Sequence, residues 1–323
     1  MVKAIVVHEA GGPEVLKWED VEVGEPGPGQ ARIRHEAIGL NFVDVYHRKG
    51  IYKTPMPFVA GSEGAGVVIS IGEGVTNVRP GDRVAYPGPN GAYAEERLIP
   101  ADRLVKIPEG IDFKTAAAMT LKGLTAQYLL RQTFRVGPGH TILFHAAAGG
   151  VGLIACQWAN HLGATVIGTV GSEEKAELAR AHGCHHVINY RTENFVERVA
   201  DITGGAKCDV VYDSVARDVF PGSLDCLKQR GMWVLFGQSS GVIENFDLNI
   251  LAQKGSLFAT RPTLFNYAAK REDLETMAAE LMDVVRNGHV KVEVKQEFPL
   301  RDAAEAHRAL EGRRTTGATV LIP

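Results

Sequence analysis

The sequence predicts an α/β chain built from two folds: a doubly wound parallel sheet, and a mostly antiparallel, partly open barrel-like β domain. Three observations predict it. The apolar run Thr141-Ile142-Leu143-Phe144 leads into His145-Ala146-Ala147-Ala148-Gly149-Gly150-Val151-Gly152. Helical spacing follows, with Val151, Ile154, Ala155, Trp158 and Leu162 on one face. From about Ala116 helical stretches lead into repeating strand–helix units, whereas the first hundred or so residues hold short apolar runs cut by Gly- and Pro-rich turns.

The elements follow in order. Met1-Val2-Lys3-Ala4-Ile5-Val6-Val7-His8 turns polar too soon for a signal peptide and reads as a first strand. Ala31-Arg32-Ile33-Arg34-His35-Glu36-Ala37-Ile38 and Gly66-Val67-Val68-Ile69-Ser70-Ile71 are further strands of the antiparallel part. Turn signals such as Pro80-Gly81-Asp82 separate the runs. Six strands of the parallel sheet are expected near 141–145, 165–170, 186–190, 209–213, 232–236 and 256–260. After Pro262 come a long helix near 271–286, a strand near 290–294, a helix near 301–310 and a last strand near 319–322. This tail is too small to make a core of its own, so it should return to the first domain. The expected division is 1–123, 124–261 and 262–323.

The glycine turn defines a ligand. A strand, a tight turn and a helix N-terminus present backbone N–H groups and a positive dipole end to a pyrophosphate. Gly149 lets the backbone approach phosphates, with Gly150 and Val151 in the turn, and Gly152 lets the helix pack against the strand. Ala147 stands where the first glycine of G-x-G-x-x-G belongs. NAD-binding units end the next strand on Asp or Glu to hold the ribose 2′-hydroxyl. Here it ends Val170-Gly171-Ser172, and Lys175 follows. A missing carboxylate beside a cation suits a 2′-phosphate, so the expected cofactor is NADPH. Glu173 and Glu174 fit helix-N-terminal acids behind a Ser172 cap. The alternative is that Glu173 turns back to a ribose.

Composition narrows the partners. The 323 residues carry a formal charge of −3, without a basic stripe, which argues against nucleic acid as the main partner. No 18-residue apolar run spans a membrane, and the expected compartment is the cytoplasm. The four cysteines, Cys156, Cys184, Cys208 and Cys226, form no C-x-x-C pair and read as buried free thiols. His182-Gly183-Cys184-His185-His186 is a poor metal site, because adjacent histidines on a strand point to opposite faces.

Several stretches together resemble a known family. They are Gly11-Gly12-Pro13-Glu14-Val15-Leu16, Asn41-Phe42-Val43-Asp44-Val45-Tyr46-His47-Arg48-Lys49-Gly50, Gly81-Asp82-Arg83-Val84, the glycine turn, Gln157, Asp213-Ser214-Val215 and Ala306-His307. The chain resembles, from end to end, the medium-chain dehydrogenase/reductases, and within them the zinc-free, zeta-crystallin-like quinone oxidoreductases, close to the bacterial NADPH:quinone oxidoreductases. Asn160 departs from the family's usual basic residue or Ser. The resemblance implies a GroES-like catalytic domain, a Rossmann domain for NADPH, and a homodimer.

It also implies site residues. Asn41, Asp44 and Tyr46 would form the nicotinamide-side cluster, and Gly150 and Val151 the pyrophosphate contacts. Gly171, Ser172, Lys175, Tyr190 and Arg313 would meet the adenosine 2′-phosphate and adenine. Phe236, Gly237 and Ser239, with Ser214, would line the nicotinamide ribose. Asn41, Tyr46 and Tyr52 are the candidates for orienting substrate. Two plainer readings stay open: Asp44 and Arg48 as an i,i+4 surface ion pair, and Tyr46 and Tyr52 as core residues with satisfied hydroxyls.

Zinc-dependent relatives use a Cys, a Gly-His-Glu and a further Cys or His. This chain has Gly61-Ser62-Glu63, and no Cys before residue 156. Zinc stabilises a developing alkoxide by several kcal/mol, so an enzyme without it should avoid alcohol dehydrogenation. A quinone delocalises the charge over an aromatic ring, and positioning plus hydrogen bonds would suffice. The expected function is NADPH-dependent reduction of a quinone in an interdomain cleft, by hydride or single electrons. Alternatives are an alkenal or enone double-bond reductase, and a largely non-catalytic, crystallin-like NADPH-binding protein. The apolar Ser256-Leu257-Phe258-Ala259-Thr260 should form a sheet edge that pairs two copies.

Overall fold

The structure, a computed structural model, describes every residue from Met1 to Pro323. The chain divides into two units, one of residues 1–122, 271–282 and 292–323, the other of 123–270 and 283–291. Residues 262–270 and 283–291, placed with the first domain by the sequence reading, thus lie in the second unit.

The chain opens with β1 (Val2–Val7), β2 (Leu16–Val21) and β3 (Gln30–Gly39), then α1 (Phe42–Arg48) and β4 (Phe58–Val59). β5 (Glu63–Ile71), β6 (Arg83–Pro87), β7 (Glu96–Pro100) and β8 (Val105–Lys106) follow. β1 pairs antiparallel with β2 and β4. A second, larger sheet pairs β3 with β5 and β7, and β6 with β5 and β8, all antiparallel. Neither sheet closes into a barrel. Alternation along β3 sends Ala31, Ile33, His35 and Ala37 inward, where Ile5, Val84, Tyr86 and Ile99 complete the core.

α2 (Phe113–Tyr128) leads into the second unit. Its elements are β9 (Thr141–His145), α3 (Gly150–His161), β10 (Thr165–Val170), α4 (Glu173–Ala181), β11 (His186–Asn189), α5 (Phe195–Thr203), β12 (Cys208–Asp213), α6 (Gly222–Asp225), β13 (Leu227–Leu235), α7 (Asn249–Gln253), β14 (Phe258–Thr260) and α8 (Leu264–Tyr267). The sheet order is β11-β10-β9-β12-β13-β14, with every pair parallel. Order reverses between β9 and β12, the switch point at which doubly wound sheets bind ligands. Strands buried on both faces explain the continuous apolar runs. Leu143, Ile167, Ile188, Val211 and Trp233 centre this core. All four cysteines are buried in this unit.

The tail runs α9 (Arg271–Arg286), β15 (Val294–Pro299), α10 (Ala303–Glu311) and β16 (Ala318–Ile322). β16 pairs with β3 through Val320 and Gly39, and β15 adds parallel to β16. β15 and β16 therefore join the first unit's larger sheet. The strand expected at 290–294 instead starts at Val294. Val290 is buried without strand pairing, and the real strand, Val-Lys-Gln-Glu-Phe-Pro, is too polar to read as an apolar run. β13 begins five residues before 232, hidden by exposed Lys228, Gln229 and Arg230. β14 begins at Phe258 because Ser256 has a φ of 55°, which no strand accepts. No helix is long and apolar enough to cross a membrane.

Candidate active site

In the second unit β9 ends at a sharp turn. Ala146 takes a φ of 57°, and Gly149 caps α3 in extended backbone. The first-turn N–H groups of α3 then have no helical partner, an arrangement that can receive an anion. A Cβ on Gly152 would lie 2.5 Å from the Ala146 carbonyl oxygen and 2.6 Å from that of Ala147. Only glycine lets the helix sit this close to the turn. On Gly149 a Cβ would meet just the Ala146 oxygen, at 3.1 Å.

The end of β10 carries the residues that bear on the cofactor alternatives. Ser172 caps α4, its hydroxyl accepting the Lys175 N–H at 3.3 Å. The Glu173 carboxylate pairs with Arg180 at 2.8 Å, along the helix rather than back toward a ribose. A Cβ on Gly171 would lie 2.5 Å from the Tyr190 hydroxyl oxygen, so the tyrosine covers the glycine while its side chain stays exposed. After β12 and β13, Ser239 N–H donates to the Ser214 carbonyl at 3.0 Å, and Phe236 N–H to that of Asp213 at 2.8 Å. A Cβ on Gly237 would lie 2.8 Å from the Ser214 carbonyl oxygen. Ser214, Phe236, Gly237 and Ser239 are thus one packed corner.

A buried polar network lies beneath these strand ends. Asp213 accepts the N–H groups of Val215 and Ala216 on Oδ1, and Trp233 Nε1–H and the Ser223 hydroxyl on Oδ2. His145 donates through Nε2 to Ser223 at 3.0 Å and accepts at Nδ1 from Thr169 at 2.9 Å. Burial lowers the His145 pKa, and Asp213 opposes the shift. A neutral imidazole with both nitrogens bonded ties β9, β10, α6 and β12 together.

In the first unit α1 carries a second network. Asn41 is its N-cap, and Asp44 reaches back to the Asn41 N–H at 2.9 Å, one half of a capping box. The Tyr93 hydroxyl donates to the same Asp44 Oδ2 at 3.1 Å. Arg48 donates to His307 Nδ1 at 3.0 Å, so the ring's proton sits on Nε2, which faces the Tyr93 hydroxyl oxygen at 3.1 Å. Every donor in this chain points toward Asp44. Arg48, fully buried, also pairs with Glu311 at 2.8 Å. Burial pushes the Asp44 carboxyl up to about 6, against the pull of Ser62, Asn41, Tyr93 and Lys122. Burial and then Arg48 push His307 down to about 3. Asp44 Oδ1 is buried without a well-formed hydrogen bond.

Asn41 leads to a further pair. Its Nδ2 donates to Glu63 Oε2 at 2.9 Å, and Lys122 Nζ meets the same oxygen at 2.9 Å. Sequence reasoning noted Glu63 only beside Ser62 and missed Lys122 and Tyr93. Lys122 lies within a helix, where a lysine ordinarily signals solvent. The surface ion pair of Asp44 with Arg48 is not formed: both are buried, and each bonds elsewhere. Tyr46 is buried and packs edge-on against the half-buried Tyr52, their centroids 5.3 Å apart. Arg313 follows α10 in the first unit with a φ of 57°.

Comparison with known proteins gives the lineage. Residues 27–109 match the family described as an alcohol dehydrogenase GroES-like domain, and residues 150–283 that described as a zinc-binding dehydrogenase. The residues around Glu63 do not fit zinc. They offer an amide, a hydroxyl and an ammonium, and the unit holds no thiol. The chain is 54% identical to a quinone oxidoreductase of Pseudomonas aeruginosa over 100% of both chains. It is 50% identical to a 2-haloacrylate reductase of a Burkholderia species, covering 100% of this chain and 99% of the other. The crystal structure of Escherichia coli quinone oxidoreductase complexed with NADPH superposes with a TM-score of 0.98 at 49% identity, over 99% of this chain and 100% of that one. With this likeness running the full length, the chain belongs to the quinone oxidoreductases of the medium-chain dehydrogenase/reductase superfamily.

Proposed function

We propose that this protein is an NADPH-dependent quinone reductase that works without zinc. The observation that carries the reading is that one chain holds an acid-free, Lys175-bearing strand end and glycine turn in its second unit and, in its first, a polar cluster unsuited to a metal. When bound, the nicotinamide supplies a hydride, or electrons singly. The chain's own residues do the rest. Gly149, Gly150, Val151 and Gly152 receive the pyrophosphate. Gly171, Ser172, Lys175, Tyr190 and Arg313 hold the adenosine 2′-phosphate, and Ser214, Phe236, Gly237 and Ser239 the nicotinamide ribose. Asn41, Tyr46 and Tyr52 orient the acceptor. Asp44 contributes from behind: its carboxylate is turned inward and fixes the Asn41 backbone.

A quinone suits such a site because its reduced charge spreads over a ring, which lowers the demand for a Lewis acid. Reduction of an activated C=C bond makes a similar demand, and the likeness to a 2-haloacrylate reductase supports it as the second reading. The working form in this reading is a cytoplasmic homodimer. β14 lies at the sheet edge with Phe258 exposed, and Val242, Phe246 and Leu248 are exposed in the preceding loop. Oxidation of NADPH by a simple benzoquinone, before and after treatment with a chelator, tests the proposal. Unchanged turnover supports it. Activity lost on chelation and restored by zinc overturns its metal-free part.

A further inference from the structure

The Lys122–Glu63 pair is unevenly satisfied. Glu63, fully buried, accepts the Leu121 N–H on Oε1 at 2.6 Å, and Asn41 Nδ2 and Lys122 Nζ on Oε2, each at 2.9 Å. Lys122 is 5% exposed. Its ammonium has three protons, and its one hydrogen bond in the chain is to Glu63. Two N–H groups of this buried cation have no partner within the chain. A pair needed for the fold alone would be replaceable by apolar side chains at little cost. Its surroundings are chemical instead: Asn41 shares the same carboxylate oxygen, Ser62 adjoins Glu63, and Asp44 lies within electrostatic reach of Lys122. Ser62 stands where zinc-dependent relatives carry the histidine of Gly-His-Glu.

We propose that the Lys122 ammonium is the electrophile of this site, stabilising the oxyanion that forms on the acceptor where a metal would otherwise act. One hydride leaves the dihydronicotinamide and forms a new bond to the acceptor, at a quinone oxygen or at the β-carbon of an enone. The displaced π pair comes to rest on the distal carbonyl oxygen. Lys122 keeps its protons and donates hydrogen bonds to that oxygen, and a solvent proton then neutralises it. Glu63 holds the ammonium in place, and Asn41 steadies Glu63. An enolate concentrates its charge on oxygen more than a hydroquinone anion does, so the enone reaction depends more on Lys122.

This inference rests on the reductase reading, and two assays separate their failures. The variant Lys122→Met/Glu63→Gln removes both charges and leaves no unpaired buried ion. Its turnover with an enone should fall roughly a hundred-fold, the scale of losing an oxyanion donor. Turnover with a quinone should fall about ten-fold or less, and the Michaelis constant for NADPH should hold. The second assay needs no turnover. 4-Nitrophenol, bound to the NADP⁺-loaded protein and titrated by its absorbance, should show a pKa lowered by about one unit or more in the wild type and restored in the variant. A wild type that reduces neither acceptor but lowers the nitrophenol pKa through Lys122 sinks the reductase reading alone. Equal losses with both acceptors, turnover within two-fold of wild type, or a nitrophenol that titrates alike in both proteins or fails to bind overturns the role of Lys122. If the double variant does not fold, Lys122→Gln, which keeps a donor on Glu63, is read in the same assays against the same outcomes.

Discussion

Lys175 stands half-buried on the first turn of α4, behind the Ser172 cap and with Glu173 held by Arg180. A charge-assisted contact to a 2′-phosphate contributes about 1.5–3 kcal/mol. Lys175→Ala should raise the NADPH Michaelis constant roughly ten- to a hundred-fold with turnover nearly unchanged; a wild type that uses NADH equally well would contradict this. The buried histidines set a second expectation. His35 and His307 titrate at about 3 in the fold, burial being the main cause. The unfolded chain therefore binds more protons below the ordinary value near 6.5, and the stability present above that pH is lost as pH falls. At pH 5 each costs about 2 kcal/mol. Asp44, raised to about 6, works the other way: its contribution is fully present below its unfolded pKa and is lost as pH rises through 6. Together these three groups should cost about 3 kcal/mol from pH 7 to pH 5. His307→Gln, among Arg48, Glu311, Tyr93 and Asp44, should lose about 2 kcal/mol less over that range in urea unfolding; an unchanged pH slope would refute it. At this scale the sequence was readable where function uses local rules. Ser172 as a cap and the missing acid after Val170 both follow from position along the chain. Lys122, Glu63, Tyr93 and His307 come from four separate segments, and only tertiary packing turns a helical lysine or a loop tyrosine inward.

The glycine turn is the element on which the nucleotide reading depends. Gly152→Ala would drive a Cβ into the Ala146 and Ala147 carbonyls, at 2.5 and 2.6 Å. Backbone cannot yield as a side chain does, so the variant should lose about 1–3 kcal/mol by denaturant unfolding and bind NADPH poorly. Gly149→Ala, with its one contact at 3.1 Å, should lose less stability and still lose affinity. Equal stability losses in the two would contradict the close-packing role of Gly152. The same element shows why the parallel sheet was readable: strands buried on both faces write themselves as apolar runs. β15 and the start of β13 were missed because one alternates charged with apolar residues, while the other begins with exposed Lys228, Gln229 and Arg230. α9 was found at its full extent because Leu274, Met277, Ala278 and Leu281 repeat at helical spacing.

For the whole molecule, the order β11-β10-β9-β12-β13-β14 leaves β14 as an edge strand, with Phe258 58% exposed. An isologous partner presenting the same strand would cover it. Phe258→Lys should shift the protein toward monomer in analytical ultracentrifugation; a wild type that sediments as a monomer at micromolar concentration would rule the dimer out. The tail's return was predictable from size alone, since so short a segment cannot bury a core. Its pairing with β3 was not, because register is written in partner strands far apart in sequence. The central claim is that nucleotide site and polar cluster together make a metal-free quinone reductase. Steady-state oxidation of NADPH with a panel of quinones beside a panel of enones tests it most directly. The account predicts that the larger values of kcat/KM fall among the quinones, with NADPH far ahead of NADH. Preference for enones across the panels, or no NADPH oxidation with any acceptor, would contradict it.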